Sequence, residues 1–372
     1  MSTLKGTDYI SIVISLDDEI RSNFYLITDS EIIFLDSLKT DLRIVNKTEY
    51  LNYLTFQKLS EHLTHILSLI NHYKKLYSNI HFKIDFILPR PLAYTISKNI
   101  LYRTPVKTKI TQEILSKLLL EIKDDFVEKY QDKYKAIDEK IHATKIDGYE
   151  INDWKDKEAM KFEANIIFTL VNTDFLTFIC KELEIRNIDY PMSFHTSLGL
   201  THIHTQDHVK DKNVSYITLF VDKDYSEFIS AFNGVPYKSG ILDIGYGDIH
   251  SQIDNISNSR HLTHSILRIM GDSHDSQLHT KTDRNKILQI FADWKKKIFS
   301  LLTRHLESKV DKIFIYSKDH LDHEMSENIF DFDIMTIVGD YDRQKSSINI
   351  KTENIYFPKH IDAVFVRTIH NL

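Results

Sequence analysis

Glycine is scarce in this chain: nine residues in 372, where a typical protein has about 7%. Loops that grip phosphate use glycine so that the backbone can approach an anion with no Cβ in the way. A chain this poor in glycine has few places for such a loop. Cysteine is scarcer, with Cys180 alone. That excludes an intrachain disulfide framework and any cysteine-pair metal site. Cys180 follows Phe178 and Ile179 in an apolar helical stretch, so a buried small hydrophobe is expected there. No apolar run reaches the roughly 18 residues of a membrane span. The N-terminal MSTLKGTDYISIVIS has a short apolar run with a strand rhythm, unlike a signal peptide. A cytoplasmic location is expected. Net charge is -6 and pI about 6.3, which gives no basic footprint for nucleic acid. There is no internal repeat, low-complexity tract or Pro/Gly linker.

The length suggests two to three domains, at roughly 100–200 residues each. Ile10, Ile12 and Ile14 alternate as in a strand, and 23–28 and 31–35 are short apolar runs separated by polar turns (LDDEIRS, TDS). From Phe56 to Tyr77 apolar residues fall three or four apart, which predicts a long amphipathic helix. Period two returns in IHFKIDFIL (80–88), stopped by Pro89 and Pro91. Ile110 to Phe126 repeats every four residues, with Thr111 as N-cap. KYQDKYKAIDEK reads as a charged connection, and IHATKIDGYEI as a strand entering an Asp147-Gly148 turn. Residues 160–170 alternate, and 175–183 form a short helix capped by Asn172, Thr173 or Asp174. SYITLFV, SEFISAF and VPYKSGILDI are three further strands, the last two joined by an Asn233-Gly234 turn. Helices at 258–270 and 283–307 and the strand KIFIY (312–316) follow. Two similar halves, each with strands, helix and strand, predict a duplicated α/β fold with a small α+β insertion.

Few residues suggest chemistry. Asp243-Ile244-Gly245-Tyr246-Gly247 has the outline of an acidic phosphate loop, with Asp243 placing Mg²⁺; it also suits a tight turn between strand and helix. His202, His204 and His208, with Asp207 and the upstream His195, offer metal-ligand spacing if helical, but the stretch is polar and reads as leading into a loop. His320, His323 and Glu324 form a similar cluster. There is no Gly-x-Ser-x-Gly elbow. Asp17-Asp18 and Asp124-Asp125 suit a solvated surface. The many Tyr and Phe residues are spaced as core, without the basic partners of a base-stacking platform.

Several stretches resemble the FtsA/PilM family of bacterial actin homologues. IHFKIDFILPRPLAYTIS (80–97) is similar to that family's strand and "LP" junction, where its inserted subdomain begins. KTKITQEILSKLLLEI (107–122) resembles the subdomain's first helix, and 147–183 the turn, strand and helix after it. SFHTSLGLTHIH (193–204) resembles the helix closing the first domain, and 215–253 the opening of the second. The resemblance implies duplicated actin-like (ribonuclease-H-type) domains: 1–90 for the first part of the first, 91–183 for the insertion, 184–212 for its end and 213–372 for the second. It also locates three nucleotide loops, and all lack glycine here. They are the turn after Ser15, the segment FVDKDYSE (220–227), where Asp222 matches the acidic residue only if a gap is allowed, and Ser317-Lys318-Asp319. Asp17, Asp18, Asp222 and Asp224 would repel phosphate. The amphipathic membrane-targeting tail of the cell-division members is not visible in AVFVRTIHNL.

The expectation is a non-catalytic scaffold without nucleotide or metal. Its partners would be bacterial membrane-assembly proteins of cell division or of a type IV pilus or secretion platform, with self-association as an option. Those partners would hold it at the inner face of the membrane. The alternatives are an ATPase holding ATP and Mg²⁺ through Asp222, Asp243, Gly245 and Gly247, and an unrelated metal-dependent hydrolase using the 195–208 histidines.

Overall fold

The computed structural model describes residues 8–16, 19–29, 31–42, 53–77, 80–130, 133–151, 153–209, 211, 213–257, 281–306, 310–317, 355–356 and 368–369. The expected helix at 258–270, the pair Asp17-Asp18 and the cluster at His320 lie outside them. The chain divides into two units. One holds residues 1–96 and 100–199, the other 97–99 and 200–372.

In the first unit the alternating isoleucines form β1 (Tyr9–Leu16). Strands β2 (Glu19–Ile27) and β3 (Ile32–Asp41) follow as an antiparallel meander. Helix α1 (Tyr53–Leu76) then leads to β4 (His81–Leu88), which pairs parallel to β1. Strand β9 (Met192–Thr196) pairs parallel to β4 and completes the order β3-β2-β1-β4-β9. One sheet face carries Ile10, Ile12, Ile14, Phe24, Ile84 and Phe86. It packs on Leu59, Leu63, Ile66 and Ile70 of α1 and on Phe175, Ile179 and Leu183 of α3 (Thr173–Ile185). Asn172 caps α3, its side chain accepting from the Phe175 amide at 3.0 Å. Between β4 and α3 lies a second sheet: β5 (Ala93–Lys109), β6 (Tyr134–Ile146), β7 (Tyr149–Glu150) and β8 (Glu158–Asn172), in the order β5-β8-β6-β7. Helix α2 (Gln112–Tyr130) is part of its core through Leu115, Leu119 and Phe126.

The second unit repeats the first unit's plan. Strands β10 (Tyr216–Val221), β11 (Ser226–Phe232) and β12 (Val235–Leu242) form the meander. Helices α5 (Gly247–Ser257) and α6 (Lys281–Thr303) follow, then β13 (Lys312–Ser317) parallel to β10 and β14 (Ile355–Tyr356) parallel to β13. The order β12-β11-β10-β13-β14 matches the first sheet strand for strand. Ile217, Leu219, Val221 and Phe228 pack on Ile249 and Ile253 of α5 and on Ile290, Phe291, Trp294 and Ile298 of α6. Helix α4 (Ser197–His208) carries the chain from one unit to the other.

Several local expectations change. The charged run 129–140 is largely strand β6, whose charges sit on exposed positions, with Glu139 paired to Lys123 at 2.5 Å. The polar segment after Leu16 is shorter than a turn of seven residues, because Ile20 and Ser22 are buried in β2. Strand β5 has no clean alternation to reveal it, since Lys98, Arg103, Pro105 and Lys107 interrupt its apolar residues. The 202–208 histidines lie on a helix, not in a loop. Cys180 is exposed, not buried: it falls one position past Ile179, the residue that α3 turns to the core.

Candidate functional site

The second unit places Asp222 directly after β10, at the start of the turn into β11. Gly245 and Tyr246 lie between β12 and α5, Gly247 opens α5, and all three pack against that turn. The two segments are laced together by their backbones. The Tyr246 amide donates to the Asp222 carbonyl at 3.0 Å, and the Gly247 amide to the Lys223 carbonyl at 2.7 Å. A Cβ on Gly245 would stand 2.2 Å from the Lys223 carbonyl oxygen and 2.4 Å from that of Asp222. Glycine is needed here because one stretch of backbone crosses another. The Trp294 indole donates to the Gly245 carbonyl at 2.9 Å, and Ser226 Oγ to the Ile244 carbonyl at 2.7 Å, which ties the crossing to α6 and β11.

The family resemblance would put ATP with Mg²⁺ at the 220–227 turn, and the alternative ATPase reading would add Asp243, Gly245 and Gly247. A phosphate site needs amides that converge on the anion. Here the Lys223 amide donates to Asp222 Oδ1 at 2.6 Å, and the Asp222 amide to the Tyr225 carbonyl at 2.9 Å. The Gly245 amide donates to Asp248 Oδ2 at 3.4 Å. The amides of Asp222, Lys223, Gly245, Tyr246 and Gly247 thus all have partners within the protein. The Asp222 carboxylate is spent on its own turn, and the residue is only 2% exposed. Asp243 is exposed at the other side of Ile244. These residues do not fit phosphate and Mg²⁺.

The first unit holds a polar cluster that the sequence reading missed. Asp85, in the middle of β4, is 0% exposed. Its Oδ1 is 3.1 Å from His195 Nε2 and 3.0 Å from Lys83 Nζ, and Ser11 Oγ donates to Oδ2 at 3.5 Å. Burial pushes the carboxyl up, but the bond to His195 and the charge of Lys83 outweigh it and hold the group below its ordinary value. The available signal was an aspartate inside an otherwise apolar, period-two strand. His195 therefore belongs with Asp85 and not with the downstream histidines.

Those histidines lie on α4, and two of them bond to the sheet of the second unit. His202 is 0% exposed, with Nδ1 3.2 Å from Thr218 Oγ1. His204 Nδ1 is 3.0 Å from the Tyr316 hydroxyl, which also meets Thr205 Oγ1 at 2.9 Å. The rings of His204 and His208 are 4.2 Å apart. Among the described residues no group of three or more His, Cys, Asp or Glu side chains is placed to hold a metal. Also among them, no helix is long and apolar enough to cross a membrane.

No family model matches the chain, and no curated protein matches it. Solved structures do. A structure of the PilM-PilN type IV pilus biogenesis complex aligns with 98% of this chain and 95% of its own, at TM-score 0.54 and 7% identity. The chain has the actin-like fold. A Bacteroides thetaiotaomicron protein with an actin-like ATPase fold aligns at TM-score 0.36 and 13% identity, over 85% of this chain and 93% of its own. The ethanolamine utilization protein EutJ from Carboxydothermus hydrogenoformans aligns at 0.40 and 6%, over 85% and 78%. The fold assignment rests on the first of these together with the repeated strand order.

Proposed function

We propose that this actin-like chain is a non-catalytic scaffold that works through protein contacts in a membrane-associated bacterial assembly. The observation that carries the reading is the closed crossing of 222–225 with 245–247. An actin-like phosphate loop there would leave amides for the anion, and this one commits them to backbone and carboxylate partners. The partner class is supported by the PilM-PilN pilus complex, whose structure aligns along nearly the whole chain. A pilus or secretion platform is therefore favoured over cell division.

Two experiments test the reading. Co-purification from a membrane extract should recover a membrane-bound component of a pilus or secretion assembly, and its failure to appear would remove the pilus assignment. ATP turnover should sit at background in the wild-type chain. Turnover that Asp222→Ala or Asp243→Ala abolishes would instead establish an active ATPase.

A further inference from the structure

Among the described residues, strand β5 is an edge of the inserted sheet and runs for 17 residues, whereas the opposite edge, β7, has two. A long edge presents backbone groups that another strand can pair with. Proteins blunt such edges with lysine and proline, and the outer part of β5 has both: Arg103, Pro105, Lys107 and Lys109, with no acidic residue from Ala93 to Lys109. Lys109 is partly compensated by Asp156 at 3.4 Å. The like charges oppose pairing of two β5 edges with each other. They do not oppose a strand of the opposite sign. A purely protective edge would also be polar, yet Leu101 is 50% and Val106 66% exposed. On the neighbouring strand, Ala159 accepts from Thr104 Oγ1 at 3.5 Å, and Met160 beside it is 47% exposed.

We propose that Leu101–Lys109 is a docking edge for an extended, acidic segment of a partner protein, added as a further strand beside β5. Its acidic side chains, on one face, meet Arg103 and Lys107, and its apolar ones, on the other face, meet Val106. The proposal rests on the scaffold reading, since it gives the scaffold a recruiting surface.

The probe is a fluorescein-labelled peptide of alternating Glu and Val, eight residues long, followed by anisotropy with the full chain. Three controls accompany it: the Lys/Val counterpart, a Glu/Val peptide N-methylated at alternate residues, and vesicles containing phosphatidylglycerol. The Glu/Val peptide should bind, and N-methylation should weaken it at least tenfold. Arg103→Glu with Lys107→Glu should also weaken it at least tenfold, whereas the exposed pair Lys296→Glu with Lys297→Glu on α6 should not. Hydrogen exchange should show protection within 101–109. Equal binding of the Lys/Val peptide, undiminished binding after N-methylation, protection elsewhere, or binding to the vesicles but not the peptide would each overturn the proposal. Tight Mg-ATP binding would end the nucleotide-free part of the scaffold reading and leave this result standing.

Discussion

Replacing Gly245 by alanine separates a structural crossing from a phosphate loop. The added Cβ would lie 2.2 Å from the Lys223 carbonyl oxygen, where ordinary contact starts near 3.4 Å. The obstacle is backbone, so no side chain can swing away. Relief requires parting the two segments by more than an ångström, which breaks the bonds from Tyr246 N to Asp222 O and from Gly247 N to Lys223 O. Each bond lost this way costs about 1–3 kcal/mol, so the substitution should cost roughly 2–6 kcal/mol, against about 5–15 kcal/mol for a whole domain. Urea unfolding followed by tryptophan fluorescence measures it. Trp294 reports on this spot because it donates to the Gly245 carbonyl, and Trp154→Phe would make it the sole tryptophan. Gly148→Ala is the control: its φ of +91° is unfavourable but nothing stands within 4 Å, so about 1–2 kcal/mol is expected. A Gly245→Ala chain as stable as wild type, but altered in nucleotide affinity, would refute the reasoning.

Other outcomes follow from single contacts. His62 is 1% exposed, with Nε2 2.7 Å from Ser22 Oγ and Nδ1 2.8 Å from Thr40 Oγ1, and burial, helped by His65, lowers its pKa to about 4. The folded state keeps it neutral while the unfolded chain protonates near 6.5. Its stability is therefore intact above pH 6.5 and falls by about 3 kcal/mol as pH drops toward 4; a flat profile in pH-dependent urea melts would contradict this. Asp85→Asn leaves Lys83 without its counter-charge and His195 Nε2 without its carboxylate partner, and should cost about 2–3 kcal/mol, reduced from the fully buried case because both partners reach solvent. Asn172→Ala removes the cap of α3 and should lower stability by about 1 kcal/mol in the same assay. Cys180, being exposed, should react with a thiol reagent in the native chain without denaturant; protection until denaturation would contradict its placement.

Much of the architecture was legible because buried strands and helices leave strong periods. Ile10, Ile12 and Ile14 announced β1, and Leu59, Leu63, Ile66 and Ile70 announced α1, since each faces one continuous core. Asp147 and Gly148, at φ 51° and 91°, form the turn their residue types favour. The inserted sheet was harder to read. Its strands β5 and β6 expose charged residues along much of their length, so period two fades where there is no core to enforce it. The polar centre of the first sheet was hidden for a different reason. Asp85, His195, Lys83 and Ser11 come from three strands up to 184 positions apart in sequence, and no local pattern joins them. The crossing at Gly245 was visible as a motif, but what the glycines face depends on tertiary contact alone.

The central claim is that this actin-like fold works without nucleotide. Calorimetric titration of the full chain with Mg-ATP tests it most directly. The account predicts no saturable heat up to millimolar nucleotide; a saturable isotherm with a micromolar Kd, weakened by Asp222→Ala, would contradict it.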